Sequence, residues 1–508
     1  MVLVLPRLIV GALGLVLAIL TLVLKNRKGI AARIFAALGG IGAVALLVNA
    51  VNQFADASDA VRALSLVPWL ALGVVLLVQF VLLVFGKSAK LHWPLAGVAL
   101  VQLGFAVYTL LTRWGNLRIG EPLWLQLQLA LAALLLVDFV LFLFAALKKQ
   151  AVLPSGLGQS DAHYARLGLQ KGKVEPWEDG ARTDGGPGSY EWWYFDAHLD
   201  DGTSLVLVYY TKRMMLPGKP LRPYATIDLD TPDGRHFEER LEVEGIPFSA
   251  AKDRCEVQIG PCYIKGDLDT YEIYFKNDVC EAKATLKSNV PPWRPATGHI
   301  FFGEKDENYF AWLPAVPEGS VTAEITVDGV TTQHTGTGYH DHNWGDANMM
   351  QLMHHWYWGR ARVGEYRIIS SYIYGEKKYG YKEYPIFLVA QPGRHIADNG
   401  SYLQFKPTGA FINAETGKPV HGTLTYEYHE NDTHLRVIYT RESSIINFKM
   451  IEQLKGVQRF GAKLIGFDGA YHRFAGTVTV ERLEDGAVVE HTEAPALWEL
   501  MYFGKAVQ

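Results

Sequence analysis

The sequence is poor in cysteine and has no excess of basic residues. Its three cysteines, Cys255, Cys262 and Cys280, stand in no C-x-x-C pair. An odd number without that spacing fits neither a disulfide framework nor a zinc site, so we expect unpaired thiols in a reducing compartment. With 48 Lys and Arg against 52 Asp and Glu, the formal net charge is −4. This balance, without a long run of one sign, argues against nucleic acid as a partner.

Long apolar runs are absent after about residue 151 but dominate the chain before it. Residues 1–149 contain five apolar stretches, each near the roughly 20 residues that a helix needs to cross a bilayer. The predicted spans are 2–24, 30–51, 64–85, 91–111 and 122–147. We therefore expect an all-α region of five transmembrane helices, with the lipid bilayer as a partner.

The distribution of basic residues beside these stretches predicts an orientation. On one side lie Lys25, Arg27, Lys28, Arg33, Lys87, Lys90, Lys148 and Lys149. On the other lie Arg7, Arg62, Arg113 and Arg118. The side richer in Lys and Arg faces the cytoplasm. The prediction is a multi-pass protein of the cell membrane with its C-terminal part on the cytoplasmic side.

The remainder of the chain is typical of antiparallel sheets. Residues 150–188 are rich in Gly and Pro and predict a linker and lead-in. From Tyr190 onward, short runs of β-branched and aromatic residues recur between turn signals, and helical periodicity is nearly absent. So many strands are too many for one barrel or sandwich, which predicts two β units, 189–347 and 348–508.

The densest group of chemically active residues lies between Gly336 and Arg360. If 339–344 is a strand, alternation puts Tyr339, Asp341 and Asn343 on one face. His340 and His342 then lie on the other face, where His354 or His355 could complete a metal site. No H-E-x-x-H or similar ligand pattern is present, so hydrogen-bonded or surface histidines are the preferred interpretation and no metal is predicted.

Asp341 is the candidate catalytic group. A carboxyl group in an apolar cavity has its pKa raised by desolvation and can donate a proton to a carbon–carbon double bond. The resulting carbocation needs a dry cavity lined by electron-rich rings. The candidate rings are Trp192, Trp193, Tyr194, Trp312, Trp356, Tyr357 and Trp358. The alternative is that these rings fill the cores of two β units and that Asp341 caps a turn.

Three segments resemble one known family. They are Ser189 to Gly202 (SYEWWYFDAHLDDG), Gly338 to Gly345 (GYHDHNWG), and the late RFAG at Arg473 with LWE ending at Glu499. In this order, over residues 180–508, they resemble the hydroxyneurosporene synthase or carotenoid 1,2-hydratase family of lipocalin-like proteins. The resemblance implies two successive lipocalin-like β-barrels and cofactor-free addition of water to a terminal isoprenoid double bond.

The resemblance also implies roles for individual residues. Asp341 matches the catalytic acid and Tyr339 its partner, with Asn343 in the same motif, and Trp312 matches the family's aromatic residue on the preceding strand. Hydratases of the family have a histidine two residues before that tryptophan, where this chain has Phe310.

Three functional hypotheses remain open from the sequence. The first is a membrane-anchored hydratase of an isoprenoid-like or carotenoid-like substrate. The second is a carrier or sensor that binds such a molecule without converting it, which Phe310 favours. The third is a cyclase or isomerase of similar substrates. A hydrophobic small molecule is the expected partner in all three.

Overall fold

The computed structural model describes residues 151–456, 459 and 467–506. The first of its two sheets has 13 antiparallel strands. They are β1 (Ser155–Leu157), β2 (Tyr190–Leu199), β3 (Ser204–Tyr210), β4 (Tyr224–Asp230), β5 (His236–Leu241), β6 (Phe248–Ala250), β7 (Cys255–Ile259), β8 (Cys262–Gly266), β9 (Thr270–Lys276), β10 (Cys280–Ser288), β11 (His299–Phe302), β12 (Asn308–Val327) and β13 (Val330–Gly345). Its main strand order is β5-β4-β3-β2-β13-β12-β10-β9-β8-β7-β6, and β11 pairs with both β1 and β12.

The second sheet has nine antiparallel strands. They are β14 (Met353–Val363), β15 (Tyr366–Gly375), β16 (Glu383–Gln391), β17 (Arg394–Ala397), β18 (Leu403–Ile412), β19 (Pro419–Glu430), β20 (Thr433–Lys449), β21 (Ala470–Glu484) and β22 (Ala487–Tyr502). The strand order is β17-β16-β15-β14-β22-β21-β20-β19-β18, so the first and last strands in sequence are neighbours. The all-β expectation for this part of the chain is confirmed.

Each sheet curls around its own core because apolar residues alternate with polar ones along the strands. In β7, for example, Cys255, Val257 and Ile259 are buried, and the residues between them are exposed. Strands distant in the sheet then meet across the core: the Tyr209 hydroxyl donates to the Tyr274 carbonyl at 2.8 Å. In the second sheet the rings of Tyr372 and Phe405 stack at 4.2 Å. The three cysteines are free thiols, as predicted, and the structure buries all three in the first sheet.

Helices are short throughout the described residues. They are α1 (Asp161–Leu167) and α2 (Met450–Gln453), with 3-10 turns at Pro176–Asp179, Met349–Gln351, Lys377–Tyr379 and Gly400–Tyr402. None of them is long and apolar enough to cross a membrane, since α1 has only seven residues. The predicted spans, between residues 2 and 147, lie outside the described residues. Because no helix of the described residues can cross a membrane, the predicted fold class, which joined a five-helix membrane region to the β units, is wrong. The predicted multi-pass location on the cytoplasmic side is wrong for the same reason.

The lead-in is more structured than a linker. It contains β1, α1 and the turn at Pro176–Asp179, and it packs against the first sheet. The indole of Trp193 donates to the Asp179 carbonyl at 3.0 Å, and the amides of Arg182 and Thr183 donate to the Glu191 carboxylate. These contacts hold residues 175–183 against the end of the sheet.

Both sheets belong to one compact unit, Val152–Gln508, and an apolar layer lies between them. We call it the intersheet layer. Its members from β2, β12 and β13 include Tyr190, Trp192, Tyr194, Phe310, Trp312 and Tyr339, and those from β14, β15, β16 and β22 include Trp356, Trp358, Ile369, Ile373, Ile386, Leu388 and Met501. The first sheet ends at Gly345 and the second begins at Met353. The predicted division at 347 stays a prediction.

Candidate active site

Asp341 lies on β13 with its side chain in the intersheet layer, where three side chains donate hydrogen bonds to it. The Tyr339 hydroxyl and the Trp312 indole both donate to Oδ2 at 2.7 Å. The Asn343 amide donates to Oδ1 at 2.6 Å. Tyr339, Asp341 and Asn343 thus share one face of the strand, as alternation predicted. The structure brings together four of the residues chosen from the sequence.

Burial determines the acidity of this carboxyl group. Only 6% of Asp341 is exposed, and this desolvation raises its pKa from 3.8 to about 6 although the hydrogen bonds from Tyr339 and Trp312 favour the ionised form. A pKa about one unit below neutrality leaves roughly one molecule in ten protonated at pH 7. Such a group is suited to general acid catalysis, which is most efficient when the pKa lies near the working pH.

Regular strand pairing brings Trp312 beside Asp341, and two prolines interrupt the strand after it. Pro314 and Pro317 interrupt β12, and the register with β13 shifts between Leu313 and Val316 and again between Val316 and Gly319. Proline has no backbone N–H to give to the ladder, so regular pairing fails on both sides. Bulges of this kind bend a strand and re-aim its side chains. Trp312 precedes the first irregularity and still pairs with Asn343.

The second sheet covers the site from the opposite side. The Trp358 ring meets the Tyr339 ring edge-on at 6.1 Å. The Arg360 guanidinium lies 5.5 Å from the Tyr339 ring centre and forms an ion pair with Asp196. Asp196 also accepts a hydrogen bond from the Tyr194 hydroxyl at 3.1 Å. This ion pair between the sheets fixes Arg360 and neutralises the second carboxylate near Tyr339.

Other predicted substrate-binding residues extend the aromatic wall. Trp192 packs against Phe310 at 6.2 Å and Tyr210 at 6.4 Å, and Trp356 packs against Phe503 at 5.3 Å. Trp192, Tyr194, Trp356 and Trp358 remain only half-buried, although they lie between two sheets. Large rings that keep exposed surface in such a layer indicate space beside them. The wall is therefore suited to an apolar ligand.

Trp193 does not join this group. It is fully buried in the core of the first sheet, where its ring stacks on His342 at 4.6 Å. Alternation along β2 explains the difference, because Trp192 and Tyr194 point toward the intersheet layer and Trp193 points away from it. The structure thus assigns Trp193 a packing position, remote from the face that carries Asp341.

His340 and His342 take part in a buried hydrogen-bond network behind the site. His340 Nδ1 lies 2.8 Å from the Tyr194 carbonyl, and Nε2 lies 3.1 Å from Asp179 Oδ2. His342 Nε2 lies 2.8 Å from Glu191 Oε1. When Asp179 is ionised, both partners of His340 are acceptors, so both of its nitrogens donate and the ring is an imidazolium.

The pKa directions agree with this charge assignment. Burial alone lowers the pKa of His340, but the Asp179 charge and hydrogen bond outweigh it, so the pKa is raised. Burial alone raises the pKa of Asp179, but the charge of His340 outweighs it, so the pKa is lowered. The sequence did not predict this network, because Asp179 lies in the segment interpreted as a linker.

A four-histidine site does not form among the described residues. His354 and His355 lie on β14 and contact each other, with 2.8 Å between their Nδ1 atoms, and His354 Nε2 lies 2.7 Å from the Lys505 carbonyl. His340 on β13, Cys255 on β7 and Asp179 in the lead-in bring potential ligand atoms within 4.8 Å of one another. Two of these groups already bind each other as an ion pair.

Glu499 is a carboxyl group on the face of the second sheet whose Trp358 ring meets Tyr339. It lies on β22, paired with Trp358 of β14, and the Tyr471 hydroxyl donates to its Oε2 at 2.8 Å. Burial raises the pKa of Glu499, and the charge of Asp341 raises it further, while Tyr471 and Arg473 lower it. In the sequence Glu499 stood out only within the LWE segment of the family resemblance.

A cavity of about 380 Å³ adjoins Trp312. Its wall includes Trp177, His299, Phe301, Tyr309, Leu313 and Trp344. Its volume lies in the range of small-molecule sites. The indole that donates to Asp341 thus belongs to a residue that also borders open space.

Asn343 lets the site hold Asp341 in either protonation state. Its amide nitrogen donates to the carboxylate in the ionised form, and its amide oxygen can accept a hydrogen bond from the protonated acid after the group rotates. Tyr339 and Trp312 can meanwhile keep donating to Oδ2. The arrangement can therefore release and recover one proton without leaving a buried polar atom unpaired.

Comparison with known proteins places the chain among distant relatives. A Diels-Alderase-like family model matches residues 187–406, less than half of the chain. The quinolone epoxide rearrangement protein penF of Penicillium thymicola is 32% identical over 120 residues, which cover 23% of this chain and 32% of that protein. The acyclic carotenoid 1,2-hydratase of Rubrivivax gelatinosus is 22% identical over 206 residues, 38% of this chain and 50% of the hydratase.

Among solved structures, kievitone hydratase from Nectria haematococca aligns with a TM-score of 0.42 and 13% identity, covering 70% of this chain and 99% of the hydratase. The chain spans a third to a half of the lengths of the two curated relatives. The resemblance to carotenoid hydratases is confirmed as a distant relationship.

Proposed function

We propose that this protein is an acid catalyst acting on a hydrophobic, isoprenoid-like substrate, in which Asp341 protonates a carbon–carbon double bond and water adds to the resulting cation. The observation that carries the proposal is the hydrogen-bonded group of Asp341, Tyr339, Trp312 and Asn343 in the intersheet layer. A buried carboxyl group with three fixed donors is oriented for proton transfer.

The ring faces around Asp341 support the second half of the reaction. Tyr339 donates to the carboxyl group, and the rings of Trp358 and Tyr194 lie 6.1 Å and 6.2 Å from the Tyr339 ring. Electron-rich faces stabilise a cation more strongly where water is excluded. The Arg360 charge, by contrast, is compensated by Asp196, so it does not oppose a developing positive charge.

A second candidate is acid-catalysed rearrangement of an epoxide or a similar strained substrate. The similarity to the quinolone epoxide rearrangement protein favours it, and so does Phe310, which gives no hydrogen bond to a water molecule at the position of the family's histidine. Both candidates begin with proton donation by Asp341 and differ in whether water ends up in the product.

Oxygen labelling tests the proposed function. We expect the purified full chain, incubated with an acyclic carotenoid that has a terminal isoprene double bond, to form an alcohol carrying heavy oxygen from labelled water. Mass spectrometry of the product measures the label. A parallel incubation with a quinolone epoxide tests the second candidate, for which we expect an isomer without label. If the carotenoid quenches the tryptophan fluorescence of the protein but neither compound is converted, the protein is a carrier. That result rejects both candidates.

Tyr339→Phe is expected to move the pH dependence of turnover to higher pH. The Tyr339 hydrogen bond stabilises the ionised form of Asp341 and so lowers its pKa. Without it the pKa rises above about 6, and the protonated acid persists to higher pH. The measurement is the pH profile of turnover for both proteins. An unchanged profile would show that Asp341 is not the group that titrates.

A further inference from the structure

We propose that Glu499 accepts the proton of the attacking water while Asp341 supplies the proton to the substrate, so that each sheet contributes one of two complementary carboxyl groups. This inference rests on the proposed function and assigns the group that activates water. Hydratases of the resembling family have a histidine where this chain has Phe310, so the sequence left no residue for activating water. Glu499 takes that role here.

The position of Glu499 is the first part of the argument. On β22 it pairs with Trp358 of β14, and the Trp358 ring contacts Tyr339, which donates to Asp341. The two carboxyl groups thus lie on facing strands of different sheets, with aromatic rings between and beside them. A substrate held against these rings has an acid on one side and Glu499 on the other.

The contacts of Glu499 differ from those of its neighbours. Asp341 accepts three side-chain hydrogen bonds, and Asp196 is neutralised by Arg360. Glu499 accepts a hydrogen bond at 2.8 Å from Tyr471, its pKa is lowered by Trp356 and by the charge of Arg473 on the paired strand, and it remains half-buried. A carboxylate with a fixed orientation and remaining acceptor capacity can hold a water molecule.

The electrostatic coupling keeps one proton on this pair of carboxyl groups. Burial raises the pKa of both, and the charge of Asp341 also raises that of Glu499. Carboxyl groups that repel one another lose their protons in two separate steps, and between these steps the pair holds one proton. The singly protonated pair contains the one acid and one base that hydration requires.

The proposed step conserves every atom and electron. The Asp341 proton forms a new C–H bond with the electron pair of the double bond, leaving a cation on the more substituted carbon. The oxygen of water forms a C–O bond to that carbon, and its surplus proton goes to Glu499. Transfer of this proton back to Asp341 through solvent restores the starting state, so the net reaction is addition of water.

Glu499→Gln separates the two proton transfers. We expect alcohol formation to fall about 100-fold, since a positioned base contributes that order of rate. Reversible protonation by Asp341 should continue, so deuterium from heavy water should still enter recovered acyclic carotenoid. Glu493→Gln, an exposed position on the same strand, is the matched control and should retain wild-type rates. Glu499→Asp should recover part of the activity.

The outcomes distinguish this inference from the proposed function. Alcohol formation at the wild-type rate in Glu499→Gln overturns the role of Glu499. If Glu499→Gln loses both deuterium exchange and alcohol formation while the carotenoid still quenches its fluorescence, the role is also overturned. Glu499 would then be needed for protonation. If the wild-type protein shows neither exchange nor alcohol, the proposed function itself has failed.

Should Glu499→Gln not fold, Tyr471→Phe tests the same role. Loss of the Tyr471 hydrogen bond raises the Glu499 pKa and should move the base-dependent side of the pH profile to higher pH.

Discussion

Replacing Asp341 by asparagine is expected to reduce turnover about 1,000-fold while the protein remains folded, because the only proton donor assigned to the substrate is lost. Asparagine keeps the shape of the side chain. Its oxygen can accept from Tyr339 and Trp312, and the Asn343 amide can rotate to meet its nitrogen. Steady-state turnover of the acyclic carotenoid measures the first effect, and quenching of tryptophan fluorescence measures whether binding persists.

The same substitution should raise the stability of the protein at neutral pH. The folded-state pKa of Asp341 is raised from 3.8 to about 6, so the folded protein loses stability as pH rises through that interval. Above pH 6, ionisation of the buried Asp341 lowers the stability of the folded protein by at most about 3 kcal/mol. Asparagine has no charge, so the variant avoids this loss. A raised melting temperature with lost turnover indicates a catalytic role. A protein that loses both activity and stability would instead point to a structural role. Asp328→Asn, in an exposed turn, is the control and should leave both unchanged.

Replacing Asp179 by alanine is expected to destabilise the folded protein by about 3–5 kcal/mol, because one member of a buried ion pair is removed. His340 and the hydroxyl of Tyr271, which donates to Asp179 at 2.5 Å, lose their acceptor. Urea denaturation of the full chain measures the loss. Asp253→Ala, at an exposed position, should have no effect.

Asp179→Asn should restore most of this stability. Tyr271 and His340 both contact Oδ2 of Asp179, and an asparagine oxygen at that position can still accept from both. Equal losses for alanine and asparagine would show that charge, rather than hydrogen bonding, holds the lead-in against the first sheet.

The contribution of this ion pair has a defined pH window. The pKa of Asp179 is lowered from 3.8, so its contribution is present above that pH and is lost as pH falls through the lowered value. The pKa of His340 is raised from 6.5, so its contribution is present below that pH and is lost as pH rises through the raised value. The difference in stability between the wild type and Asp179→Ala should therefore be largest between about pH 4 and 6.5. A difference that does not change with pH contradicts the charge assignment.

Much of the candidate site could be predicted from sequence because it depends on local periodicity. Strand alternation alone placed Tyr339, Asp341 and Asn343 on one face and the two histidines on the other. Alternation also separates Trp193 from Trp192 and Tyr194, but the clustering of aromatic residues in one segment hid that distinction.

What the sequence could not give is the identity of partners that are distant along the chain. Asp179 meets His340 across 161 residues, and Arg360 meets Asp196 across 164. The lead-in was interpreted as a linker because its Gly and Pro content describes local backbone preferences. Tertiary hydrogen bonds, which have no local pattern, instead order it. The predicted membrane location relied on hydropathy and on the distribution of basic residues, and no helix of the described residues is able to span a membrane.

The sequence by itself determined the antiparallel strands, the face of β13 that carries Asp341 and the supply of aromatic rings, since each follows from a two-residue period and side-chain chemistry. Only the tertiary structure decided that β14 and β22 are neighbours, that a second sheet covers Tyr339, and that Glu499 is paired with Trp358, whose ring meets Tyr339. Pairing between strands far apart in the chain depends on how both sheets bury their faces together. That is a property of the whole packed unit, which no local segment encodes.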